Sequence, residues 1–90
     1  MNKKELYSAI GFLKISETRQ KILNCIGDDF MMPSEIASKT GLGTTQVSNS
    51  LADLKSRQLV ECINNDDKKG RLYEITSTGK EVLSYINKKS

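Results

Sequence analysis

The stretch that most limits what this chain can become is residues 33–61, PSEIASKTGLGTTQVSNSLADLKSRQLVE. It reads as two helices joined by a tight turn. Pro33 suits the first helical position, where its missing N–H costs nothing, although Met32 before it is a poor N-cap residue. Ile36 and Ala37 mark the buried side of the first helix. Gly41 ends it, because glycine enters the left-handed conformation without a Cβ penalty. Leu42 plugs the turn from inside. A second helix is predicted from about residue 44 to residue 57, with Val47, Leu51 and Leu54 at helical spacing on one face. Small Ala37 lets the two helices cross closely, and Val47 packs into the angle between them.

An alanine, a glycine four residues on and a β-branched residue six further on make the pattern of a DNA-binding helix-turn-helix. The other face of the second helix agrees with that reading. Thr44, Thr45, Gln46, Ser48 and Asn49 crowd its first half. A merely solvated helix favours Glu, Lys and Arg, because Thr, Ser and Asn are poorer helix formers. Short neutral side chains that both donate and accept hydrogen bonds suit base edges in a major groove. Gln46 and Asn49, three apart, share one face, and either amide can pair with an adenine edge. Thr44 and Thr45 at the helix start suit phosphates or a thymine methyl. A plain polar surface helix is the competing reading, and it gives no reason for the turn motif and the polar face to occur together.

The remaining elements follow from periodicity and caps. Asn2 and Glu5 have capping-box spacing, so a first helix is predicted from Lys3, with Leu6, Ile10 and Leu13 on one side. Tyr7 lies beside them, Phe12 points elsewhere, and Gly11 either weakens the helix or permits a close crossing. Ser16 caps a second helix to about Ile26, with Ile22, Leu23 and Ile26 inward and Arg19 and Lys21 outside. Phe30-Met31-Met32 is a short edge strand. Residues 59–63 and 71–75 are β-prone around a turn-rich loop that holds Lys68 and Lys69, which together make a hairpin. Thr76 or Thr78 opens the last helix, Thr78 with Glu81 at capping-box spacing, and its apolar face is Val82, Leu83 and Ile86.

Ninety residues make one domain at most. A core of that size gives modest stability, which a dimer would augment. The net charge of +3 mildly favours a polyanionic partner. No apolar run approaches the ~18 residues that span a membrane, and no signal peptide is visible, so no membrane contact and a cytoplasmic location are expected. The chain has no histidine, hence neither the usual general base nor the commonest metal ligand. Two distant cysteines, Cys25 and Cys62, cannot complete a four-ligand zinc site alone. They read as buried free thiols, with a redox pair as the alternative. The paired aspartates at 28–29 and 66–67 read as solvated turns, and no phosphate-binding glycine loop is present. No catalytic residue, metal site or cofactor is expected.

Helix, helix, short strand, helix, helix, hairpin, helix is the order of a winged helix-turn-helix domain, a mainly α fold with a small β-hairpin (α+β). The residues resemble the MarR and ArsR families of prokaryotic transcription regulators over roughly residues 16–83. SETRQKILNCI resembles their second helix, residues 33–61 their helix-turn-helix, and RLYEITSTGKEVL their second wing strand and the step into the last helix. Thr76 followed by Gly79 is the usual pattern there. Three features depart from it. Gln58 stands where those families usually have glycine, which implies a strained or altered turn into the first wing strand. The terminal helices are short for MarR proteins. Where ArsR metal sensors carry cysteines, this chain has Ser34, Glu35, Ile36 and Ala37.

The expected organisation is one winged helix-turn-helix domain over 1–90, with a first helix over 1–15, the helix-turn-helix over 33–58, the wing hairpin over 59–76 and the last helix over 77–90. The resemblance implies a homodimer on double-stranded DNA, its recognition helices in successive major grooves of an inverted-repeat operator. Thr44, Thr45, Gln46, Ser48 and Asn49 would contact the groove, and Lys68, Lys69 and Arg71 of the wing the backbone. Tyr7, Phe12 and Tyr85 are the candidate dimer contacts, being apolar residues to spare on the terminal helices. The alternative is a winged-helix module that binds protein in a larger transcription or replication assembly, since the fold permits both. Such a module would expose apolar residues on the second helix of the turn motif, and this sequence places polar ones there.

Overall fold

Local side-chain hydrogen bonds start most of the helices, where the sequence leaves the backbone N–H groups a partner. The structure is a computed structural model that describes residues 2–64 and 70–88. Helix α1 (Lys3–Lys14) begins at Asn2, whose side-chain oxygen accepts from the Glu5 N–H at 2.8 Å. Helix α2 (Glu17–Ile26) begins at Ser16, whose hydroxyl accepts from the Arg19 N–H at 3.3 Å. After strand β1 (Phe30–Met31), helix α3 (Pro33–Thr40) starts behind Met32. Here Glu35 reaches back instead, and its carboxylate accepts from the Met32 N–H at 3.1 Å. Gly41 closes α3 at φ 77°, and its N–H donates to Ala37 O at 2.9 Å. Helix α4 (Thr44–Ser56) follows, then strands β2 (Val60–Cys62) and β3 (Tyr73–Ile75) and helix α5 (Ser77–Asn87).

The three strands form one antiparallel sheet in the order β1-β3-β2. Val60 faces Ile75 and Cys62 faces Tyr73, so alternate side chains turn to the core. The interior is apolar: Leu13, Ile22, Leu23, Ile36, Val47, Leu54, Leu59 and Val82 are fully buried. Among the described residues no buried residue is polar or charged. Each helix contributes the face that its spacing predicts, and Ala37 and Leu42 pack half-buried against that core. Gly11 faces open space, so within the chain it serves no close crossing. Cys62 is buried and Cys25 half-buried, both as free thiols, with the Cys25 sulfur 3.8 Å from that of Met31.

Helix α4 ends in a Schellman turn. The Leu59 N–H donates to Leu54 O at 3.0 Å and the Gln58 N–H to Lys55 O at 2.9 Å. The apolar contact that usually accompanies this motif is supplied by Leu54 and Leu59. The turn requires a positive φ at Gln58, and the residue adopts 61°. The strain implied by a glutamine at this position is therefore present, since an L-residue in that region costs ~1–2 kcal/mol.

The start of α5 is fastened to the same turn. Thr76 donates its hydroxyl to Gln58 O at 2.6 Å and its N–H to Leu59 O at 3.0 Å. The same hydroxyl accepts from the Gly79 N–H at 3.0 Å, which makes Thr76, not Thr78, the cap of α5. Gly79 lies so close that a Cβ there would overlap Leu59 O. Only glycine permits that approach.

Two substitutions test this junction by urea unfolding. Gly79→Ala should lose ~1–3 kcal/mol of stability, as overpacking against an immovable backbone does. Gln58→Gly should gain ~1 kcal/mol by relieving the positive φ.

Candidate nucleic-acid interface

The buried seam of α4 fixes which side chains face outward. Val47, Leu51 and Leu54 are 0–1% exposed, so the opposite side of the helix must lie at the surface. Thr44, Thr45, Gln46, Ser48 and Asn49 are all exposed there, on the first half of the helix. The N-cap of α4 is Gly43, which has no side chain to cap with, and no acidic residue sits in the first turn. The positive end of the helix dipole is thus unopposed by a local carboxylate.

The first turn of α2 grips one edge of α4 at two points. The Gln46 side-chain amide donates to Thr18 Oγ1 at 3.3 Å. Two turns further on, Asp53 pairs with Arg19 at 3.5 Å. At about 100° per residue, positions seven apart lie within ~20° of each other around a helix, so Gln46 and Asp53 mark the same edge.

Arg19 is not the outward-facing residue that its helical position predicts. Its guanidinium donates to Phe12 O at 2.9 Å and lies 3.8 Å from the centre of the Phe12 ring. Its side chain is only 19% exposed. Arg57 approaches the same ring at 4.7 Å and donates to the Ser8 hydroxyl at 3.3 Å. Phe12 therefore joins α1, α2 and the end of α4 within one chain and is half-buried. The other two candidate dimer residues stand free of the core. Tyr7 on α1 is 65% exposed and Tyr85 on α5 is 45% exposed, and α1 and α5 pack against each other.

At the wing, the Asn64 side chain closes the base of the hairpin. Its amide donates to Gly70 O at 2.8 Å and its oxygen accepts from the Leu72 N–H at 2.7 Å. Arg71 is exposed beside that closure, while Lys68 and Lys69 lie outside the described residues. Sequence reasoning missed Asn64, Arg19 and Thr18. Asparagine in a turn-rich run was a signal for the first, but the partners of the other two are distant in sequence.

On the outer face of the sheet, Glu61 and Glu74 stand directly opposite each other. A hydrogen bond to the Glu74 carboxylate, then desolvation and the like charge, raise the Glu61 carboxyl above its ordinary value.

A small antiparallel wing beside a helix-turn-helix, with the second helix of the motif presenting a polar face, defines a winged helix-turn-helix fold. Solved structures of this architecture match the chain closely in shape. A crystal structure of a possible transcriptional regulatory protein fragment from Mycobacterium bovis has a TM-score of 0.76 at 23% identity, with 91% of this chain and 87% of that one covered. A solution structure of a homodimeric winged helix-turn-helix DNA-binding domain from Mycobacterium bovis, a possible ArsR-family regulator, gives 0.75 at 23%, covering 91% and 75%. A mutant MarR from Escherichia coli, complexed with operator DNA, gives 0.73 at 23%, covering 94% of this chain and 62% of that one. No protein-family model and no curated protein matches the chain. The expected fold is thereby established, and its solved neighbours are the winged-helix domains of MarR and ArsR regulators.

The opposed glutamates give a pH test. A carboxyl raised in the folded state binds more protons there than in the unfolded chain. Its stabilisation is full below the unfolded value, near 4.5, and is lost as pH rises through the folded value. Glu61→Gln should therefore melt higher than the wild type at pH 7, and the gap should close at pH 4. Equal melting temperatures at both pH values would show that the pair exerts no strain.

Proposed function

We propose that this chain is a sequence-specific, double-stranded-DNA-binding transcription regulator that acts as a homodimer on an inverted-repeat operator. The observation that carries the reading is the exposed face of α4: Thr44, Thr45, Gln46, Ser48 and Asn49, opposite a fully buried seam. In this reading α4 enters the major groove, which is ~12 Å wide and admits a helix. Gln46 and Asn49 read base edges, and each bidentate amide–adenine pair contributes ~1–3 kcal/mol of discrimination. Thr44 and Thr45, at a helix start with no carboxylate in its first turn, serve a phosphate or a thymine methyl. Lys68, Lys69 and Arg71 hold the flanking backbone. The solved neighbours on DNA and in homodimeric form support this reading.

The dimer is assigned to α1 and α5, whose exposed aromatics Tyr7 and Tyr85 are offered to a second copy. Phe12, the third candidate contact, lies on another side of α1, beside Arg19 and Arg57. A two-fold dimer places half-sites about one turn apart, ~34–36 Å.

Selection of bound DNA from a random pool tests the reading. The wild type should yield an inverted repeat. The double variant Gln46→Ala, Asn49→Ala should lose preference at one or two base pairs per half-site while folding normally. A module that binds protein would yield no site at all. Replacing Lys68, Lys69 and Arg71 together with alanine should weaken binding to every sequence about equally and flatten the log–log salt slope by ~0.9 per lost phosphate contact. Sedimentation equilibrium at micromolar concentration should return a dimer mass, and a monomer mass with and without DNA would remove the α1–α5 assembly.

A further inference from the structure

We infer that Thr18, on α2, is a specificity-determining residue that acts by positioning the Gln46 amide. The inference rests on base reading by α4. Among the described residues, Gln46 is the member of the polar face whose side chain hydrogen-bonds to another helix, its Nε2 donating to Thr18 Oγ1 at 3.3 Å. A glutamine amide has two N–H donors and one oxygen. With one N–H engaged by Thr18, the second N–H and the oxygen remain to pair with N7 and N6 of adenine.

The anchor itself is held. Ser16 caps the turn that carries Thr18, by accepting from the Arg19 N–H at 3.3 Å. Arg19, the next residue, fixes that turn to α1 through Phe12 O at 2.9 Å and to α4 through Asp53 at 3.5 Å. The distance from Thr18 to the helix that carries Gln46 is therefore set by contacts that do not involve Gln46. A long side chain held before binding loses less freedom on binding, and only the base pair that it reads gains from this. Discrimination at that base pair then depends on a residue that touches no base.

The test uses Thr18→Val, which keeps the shape and removes the acceptor, and Thr18→Ser, which restores it. In the free protein, the NMR signals of the Gln46 side-chain amide should lose order in Thr18→Val and recover it in Thr18→Ser. Competition between the selected duplex and its single-base variants should show discrimination at the Gln46 base pair falling ~2- to 10-fold in Thr18→Val, with affinity for random duplex and the salt slope unchanged. Thr18→Ser should read as wild type. In the Gln46→Ala background, Thr18→Val should have no further effect. A uniform loss of affinity with a flatter salt slope would overturn the inference and make Thr18 a phosphate contact. Unchanged discrimination in Thr18→Val, with Gln46→Ala impaired, would overturn it and leave base reading intact. If Gln46→Ala itself discriminates normally, base reading by Gln46 fails and the inference fails with it.

Discussion

Helix α4 must satisfy two environments with one short sequence. Its seam of Val47, Leu51 and Leu54 is buried between α2, α3 and the sheet, and a buried Leu or Val contributes about 1.5–3 kcal/mol. No rotation of the helix can expose the seam without losing much of the stability of so small a core. The direction of Thr44, Thr45, Gln46, Ser48 and Asn49 is thus dictated from the opposite side of the helix. The polar face is outward because the apolar face has nowhere else to go.

Two further sets of contacts fasten α4 to its neighbours. At the C-terminal end, the Schellman turn at Gln58 and Leu59 is fastened by Thr76 and Gly79 to the start of α5. The Leu59 N–H closes the end of α4 while the Leu59 carbonyl accepts from the Thr76 N–H, so one residue joins α4 to the start of α5. Along the edge of α4, Arg19 bridges Phe12 and Asp53 and so joins α1 to α4. Exposed ion pairs alone contribute little. Arg19 is mostly shielded, stacks on an aromatic face and donates to a carbonyl, so its contribution is not limited to the charge pair. Together these contacts fasten the second half of α4 and its C-terminal end to α1, α2 and α5.

Much of this was legible in the sequence because it is local or periodic. The start of α1 at Lys3 follows from Asn2 and Glu5, the end of α3 from Gly41, and the seam of α4 from helical spacing. Gln58, standing where glycine is usual, pointed to a strained or altered turn, and its positive φ makes it the strained one. The cap of α5 was not legible, because Thr76 and Thr78 each have a partner three residues on. What decides between them is the close approach of Gly79 to Leu59, twenty residues earlier in the chain. The half-buried position of Arg19 was hidden for the same reason, since its charge predicts solvent and only the packed fold supplies Phe12 beneath it. The outward residues of α4 could be named from pattern alone, whereas the anchoring of Gln46 by Thr18 joins residues on separate helices and leaves no trace in either local pattern.

In the proposed reading, DNA meets this protein at the first half of α4. The most direct measurement is a titration of the isotopically labelled protein with its selected duplex, followed by amide NMR shifts across the whole chain. The largest changes are expected at residues 44–49, with Thr18 and Arg71 next and the buried seam still. Changes centred on α1 and α5, with residues 44–49 unmoved, would contradict that reading.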